Sequence, residues 1–274
     1  MDDVAYELFE RLESKHWWLR GRRAVYFGLL DELLPRTGQI SSLDVGCGYG
    51  AMIPELERYG PASGIDLFPE AVEHCRRRGF GRVQEGSAYE LPARGESFGL
   101  VSFFDCLEHL DDDLAALREA HRVLRPGGFV VISAPAYRLL YANNDRVAHH
   151  RRRYTRAEIG SRLEQAGFEV RKSTYVNTLL FPLILPLVLI KKLRERLLPI
   201  EGDVTTNLTH RVPQTVNEVL YRVFASELPL LKRATFPFGH SIFAVGVKPP
   251  TSEFARPSGR ASANPSSLQR PRAG

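Results

Sequence analysis

The chain has 274 residues, a formal net charge of +5, 43% hydrophobic residues and 25% charged residues. These fractions exclude wholesale disorder, and the length suits one large domain or one domain with an insertion. Three cysteines, Cys47, Cys75 and Cys106, with no CxxC pair, exclude a disulfide framework and point to a reducing, cytoplasmic setting.

The N-terminal MDDVAYELFE lacks the basic-then-apolar order of a signal peptide, and no run of 18 apolar residues predicts a spanning helix. The positive charge is unevenly placed. Residues 1–145 carry 16 basic and 23 acidic side chains, and the rest carry 21 and 9. That distribution implies no long basic groove for nucleic acid. It places the charge where an anionic acceptor, or a membrane that holds one, would be met.

Residues 1–40 read as a helical lid. Tyr6, Leu8, Phe9 and Leu12 form one apolar stripe, and Val25, Phe27, Leu29, Leu30, Leu33 and Leu34 form a second, stopped by Pro35 and Gly38. Between them, His16 to Arg23 holds both tryptophans beside three arginines, which suits either a hydrophobic clasp or stacking over a ligand.

From 41 to 177, apolar runs alternate with helical patterns. Strands are predicted at 42–45, 62–67, 81–85, 100–104, 129–134 and 169–176, and helices at 51–59, 69–78, 112–124 and 155–167. The last of these helices opens on a Thr155–Glu158 capping box. This alternation predicts an α/β fold with a mostly parallel, Rossmann-like sheet and helices on both faces. Residues 178–240 then form a helical, partly hydrophobic insertion before the last core strand at 241–248. The tail, 249–274, is rich in Pro, Ser, Gly and Arg and is predicted to be disordered.

The sharpest motif is Asp44-Val45-Gly46-Cys47-Gly48-Tyr49-Gly50, where a strand must turn into a helix. Glycines there let the backbone approach a ligand closely. Sixteen residues after Gly50 the second strand ends in Asp66, placed to accept ribose hydroxyls. Gly46-x-Gly48-x-x-Ala51 also satisfies a relaxed dinucleotide fingerprint, so an NAD(P)-binding oxidoreductase stays open at this point.

Five segments in this order resemble the class I S-adenosylmethionine-dependent methyltransferases, in particular bacterial small-molecule members of the type 11 and type 12 groups. They are Asp44–Gly50, Asp66, Gly86–Pro92, Phe98–Leu110 and Leu124–Gly128. The resemblance implies a seven-stranded sheet and S-adenosylmethionine as cofactor, leaving S-adenosylhomocysteine. It implies cofactor contacts from Asp44, Gly46, Cys47, Gly48, Gly50, Asp66, Leu67, Ser87, Ala88 and Asp105. Ser87 departs from the pattern, because many relatives carry Asp there to bind the adenine amino group.

Candidates for general base are His109 and His150, with Glu108 beside them. Glu108 and His109 equally suit a loop anchor. The run His150-Arg151-Arg152-Arg153-Tyr154-Thr155 resembles one in relatives associated with cell-envelope glycan genes. It offers Arg152, Arg153 and Tyr154 for an acidic acceptor, and Trp18 joins them from the lid. No metal site is expected, since adjacent His149 and His150 point apart.

In the insertion, the apolar run 179–190 followed by Lys191, Lys192, Arg194 and Arg196 reaches about 18 Å as a helix, too short to span a bilayer. It suits peripheral docking to the inner face of a membrane, a cap on the domain, a homodimer contact or a wall of a hydrophobic tunnel. The expected function is methyl transfer to a small-molecule, lipid-type or glycan-type acceptor, with oxygen slightly favoured over nitrogen or carbon. A catalytically silent binding module is the remaining alternative.

Overall fold

A computed structural model describes residues 10–34, 36, 38–197 and 212–250. The first apolar stripe up to Phe9, Pro35, residues 198–211 of the insertion and tail residues 251–274 lie outside the described residues.

Seven strands form one sheet in the order β3-β2-β1-β4-β5-β7-β6. They are β1 (Ser42–Val45), β2 (Ala62–Asp66), β3 (Val83–Glu85), β4 (Phe98–Phe104), β5 (Leu124–Pro135), β6 (Glu169–Val176) and β7 (Ser241–Val247). The first five run parallel, and β7 is antiparallel to both β5 and β6. The central strands β1 and β4 are almost wholly buried. Both faces are covered, so they read as near-continuous apolar runs instead of alternating ones.

Helix α1 (Trp17–Leu33) and the chain after the glycine loop both depart from expectation. The Trp17-Trp18 segment is not a linker between two helices. It forms the first turn of α1, with the His16 ring nitrogen accepting a bond from the Trp18 N–H at 3.3 Å. A side-chain acceptor at the N-cap satisfies one of the free amides of the first turn. The helix expected over 51–59 shrinks to α2 (Ile53–Leu56), flanked by turns on both sides. Helices α3 (Pro69–Arg77), α4 (Asp113–Val123), α5 (Asn143–Val147) and α6 (Arg156–Gln165) follow, the last with the expected capping box.

Two apolar cores result. On one face α4 and α6 pack Ala116, Leu117, Ile159 and Leu163 against Leu43, Val101 and Val130. On the other, α1 packs Val25, Tyr26, Phe27 and Leu30 with Ile53, Val72 and Phe243. Tyr26 stacks between Phe104 and Phe243, with centroids at 6.1 and 5.2 Å.

The insertion carries α7 (Phe181–Leu197), α8 (Gln214–Ala225) and α9 (Leu228–Arg233). Helix α8 lies on α1. The Trp17 N–H donates to Asn217 at 2.8 Å, and Arg20 pairs with Glu218 at 2.9 Å. Phe224 is fully buried and fills the space opposite Gly21, where a Cβ would lie 2.3 Å from its ring. Phe224→Ala should therefore cost about 3 kcal/mol of stability, read as a lower urea midpoint with unchanged slope.

Candidate active site

The strand order reverses between β1 and β4, and in open α/β sheets ligands bind at such a point, outside the carboxyl ends of the strands. After Val45 the chain turns at Gly46 with φ +72°, and a Cβ there would lie 2.6 Å from the Cys106 sulfur. Gly48, with φ +54°, faces open space. Its N–H donates to Asp66 Oδ2 at 2.8 Å, and the Phe68 N–H donates to Asp66 Oδ1 at 3.0 Å. Asp66 thus ties the glycine turn to the end of β2. Burial pushes its carboxyl up, against the lowering effect of these backbone bonds. Each carboxylate oxygen keeps further lone pairs.

Asp44 is buried, and Ser102 donates to it at 2.7 Å. Burial raises its carboxyl to about 7, against the Ser102 bond. Cys47 is buried beneath the turn, and the Cys75 thiol donates to the Gly48 carbonyl at 3.1 Å. Leu67 and Phe68 stand exposed at the end of β2.

The segment after β3 forms a tight turn. The Ser87 hydroxyl accepts from the Tyr89 N–H at 3.2 Å, and the Ser87 carbonyl accepts from Glu90 at 3.2 Å. Ala88 is half-buried in it. The Tyr89 hydroxyl accepts from the Asp111 N–H at 2.9 Å and so joins this turn to the approach of α4. Nothing in the sequence spacing marks that bond.

At the end of β4, Asp105 adopts φ +51°. This left-handed conformation is costly for a residue with a Cβ, and it is held by neighbours. The Asp105 N–H donates to the Ser133 carbonyl and hydroxyl, both at 3.1 Å, and the Ser133 hydroxyl donates back to Oδ1 at 3.0 Å. Arg22 of α1 pairs with Oδ2 and lies over the Trp18 ring at 4.5 Å. The lid therefore reaches the end of β4 through Arg22, which the sequence reading did not single out. Trp18 is half-buried beneath that guanidinium.

The chain beyond Asp105 brings Glu108, His109 and His150 together, with one ligating atom from each within 4.8 Å of the others. The two imidazoles meet edge to face at 4.8 Å between centroids. His150 Nδ1 lies 2.9 Å from Asp145, which also accepts from Arg153 at 2.7 Å. Burial opposes ionisation of Asp145, but these bonds outweigh it and hold the carboxyl at about 2. Burial, reinforced by His150, lowers the His109 imidazole to about 4.

Glu108 is fully buried, and neither carboxylate oxygen has a hydrogen-bond partner among the described residues. Burial and the charge of Asp105 push it well above the usual carboxylate range. Where Glu108 gives up that proton, the three groups could hold a divalent cation, with Asp145 orienting His150 from behind. His240 also flanks this edge, half-buried and lowered to about 4 by burial and then by Arg153.

The basic run divides in two. Tyr154 is buried, and its hydroxyl donates to Asp113 at 2.9 Å and to the Leu107 carbonyl at 3.1 Å. Arg153 is held by Asp145 and donates to the Ala136 carbonyl at 3.1 Å. Both brace the loop that carries His109. Arg152 is half-buried, with Asp113 at 3.4 Å, and it faces an open depression with Arg138, Arg146, Arg151 and Lys192.

Residues 43–132 match the model of a methyltransferase domain. A Mycolicibacterium smegmatis protein, named a probable S-adenosylmethionine-dependent methyltransferase, is 34% identical over 166 residues, which cover 58% of this chain and 62% of that protein. A Mycobacterium tuberculosis protein of the same description is 33% identical, covering 57% of each. The chain thus spans about three fifths of the length of these curated relatives. An S-adenosylmethionine-dependent methyltransferase from Mesorhizobium loti superposes with a TM-score of 0.54 at 17% identity, covering 82% of this chain and 97% of that one.

Residues 43–132 thus resemble a methyltransferase domain, and the chain is similar to S-adenosylmethionine-dependent methyltransferases. The names of these relatives carry S-adenosylmethionine as cofactor, and the residues around the glycine turn fit it. A glycine turn opens onto free space, a carboxylate with spare lone pairs stands beside it, and exposed Leu67 offers an apolar neighbour. No described helix is long and apolar enough to cross a membrane.

Proposed function

We propose that the chain transfers a methyl group from S-adenosylmethionine to an oxygen of a small-molecule, lipid-type or glycan-type acceptor, with His109 as general base. The observation that carries this reading is the neutral imidazole at the carboxyl edge of the sheet. His109 is lowered to about 4, lies four residues past Asp105 at the end of β4, and is braced by the loop that follows β5. An oxygen acceptor must lose a proton as the bond forms, and a neutral imidazole can take it. Acceptors that carry a lone pair without a proton to lose need no such group.

The bound cofactor supplies an already electrophilic methyl group, so alignment is the main task of the protein. Asp66 and the Gly46–Gly50 turn hold the donor side. Asp105, fixed by Ser133 and Arg22, forms the floor at the end of β4. His150 and Asp145 orient the His109 face, and Arg152 offers a cation to an acidic acceptor. In this reading the enzyme works in the cytoplasm, in contact with a membrane through residues 179–196, and association as a homodimer would use the same segment.

The test is a transfer screen with a labelled methyl donor against quinones, glycans and lipid extracts. Label in an O-methyl ether or an O-methyl ester of one class is the expected result. Label only on nitrogen would overturn the oxygen assignment, and no label in any class would overturn the reaction.

A further inference from the structure

Helix α7 has two unlike sides. Leu183, Leu187, Ile190, Leu193 and Leu197 recur at helical spacing and are 57–70% exposed. Leu139, 65% exposed, extends the apolar surface beside it, and the Lys192 ammonium donates to its carbonyl at 2.8 Å. A stripe of this kind left in water signals an interaction surface. The inner side of the same helix turns Lys192 and Glu195 into an open depression of about 980 Å³.

Seven cationic side chains line that depression against three acidic ones. Among the described residues, Arg138 and Lys192 have no acidic partner there, while Arg146, Arg151, Arg152 and Arg162 share Glu195, Asp111 and Asp113. The lining therefore keeps an excess of positive charge that a phosphate would match. Apolar side chains thus stand exposed along one side of α7, and guanidinium and ammonium groups line the depression on its other side. An anionic phospholipid presents a match for each, in its acyl chains and its phosphate.

We propose that this face docks on an anionic phospholipid surface, with a lipid phosphate seated in the basic depression and the leucine stripe of α7 in the acyl boundary. The proposal rests on the membrane contact of the preceding reading and gives it a headgroup and a site. It does not depend on which atom is methylated.

The test is sedimentation of the full chain with vesicles of phosphatidylcholine alone and of phosphatidylcholine mixed with phosphatidylglycerol. Binding to the mixed vesicles only, released by added salt, is expected. Arg138→Gln with Arg146→Gln should weaken vesicle affinity about thirtyfold, from about 1 kcal/mol per cation near an anionic surface. Leu187→Asp with Leu193→Asp should weaken it at least about tenfold through lost apolar burial. These side chains are exposed, so both variants should unfold at the wild-type temperature.

Equal binding to both vesicles, binding to neither, or a double variant bound like wild type would overturn the proposal. So would a chain that ignores vesicles yet is stabilised against heat by inorganic phosphate, which would give the depression to a soluble phosphate compound. None of these readouts involves methyl transfer, so they stand or fall apart from the reaction.

Discussion

Replacing His109 with alanine should lower the methyl-transfer rate about 10²–10⁴-fold, with little change in cofactor affinity. The imidazole acts as a base only when neutral. Burial and His150 lower its pKa from the ordinary 6.5 to about 4. The neutral form therefore persists as pH falls to about 5, and the wild-type rate should decline only through about pH 4. An unperturbed histidine would lose its rate around pH 6.5. His150→Ala separates the two base candidates. It removes one of the groups that lowers His109, so the acid limb of the profile should move upward while most of the rate at pH 8 survives. Full loss at pH 8 in His150→Ala, with His109→Ala active, would assign the base to His150 instead.

The second large effect is expected at Asp66. Its two oxygens accept from the Gly48 and Phe68 amides, and a bound ribose would add to them. Asp66→Ala should weaken S-adenosylmethionine binding about a hundredfold by calorimetry, the scale of one or two hydrogen bonds to a charged group. Asp66→Asn keeps the shape and one acceptor oxygen and should fall between. Wild-type affinity in Asp66→Ala would remove this residue from the donor site.

Much of the donor side was legible in the sequence because it rests on local constraints. A strand, three glycines and an acid at the end of the next strand leave the chain few ways to turn. The strands at 42–45 and 169–176 therefore fell on their observed bounds, and the last strand stops one residue short of the expected 248. The helix after the glycine turn did not, because the turn at residues 57–59 and the hydrogen bond of Tyr59 to Asp31 end it early. Trp17 and Trp18 were placed between helices because two bulky aromatics beside a glycine do not advertise a first helical turn. Tertiary contact with Phe224 and Asn217 decides it.

On the acceptor side, pattern alone could not tell a ligand from a brace. Arg152, Arg153 and Tyr154 are adjacent and chemically suited to an anion. Only packing shows that Arg153 and Tyr154 answer Asp145 and Asp113 while Arg152 keeps an open side. The partners that matter most are far apart in sequence. Arg22 and Asp105 lie 83 residues apart, and no local period connects them.

That pair bears on how far the catalytic unit can be reduced. Residues 43–132 contain every segment recognised as methyltransferase, yet Arg22 and the Ser133 hydroxyl both enter from outside those bounds. A fragment cut to them would keep its glycine turn but leave Asp105 without its counter-charge and its left-handed backbone without its clamp. The acid would then stand bare where a cationic donor is received, and the ligand would have to supply what α1 supplies in the whole chain. If Asp105 borders the donor as proposed, donor occupancy and the seating of α1 would be thermodynamically linked through it.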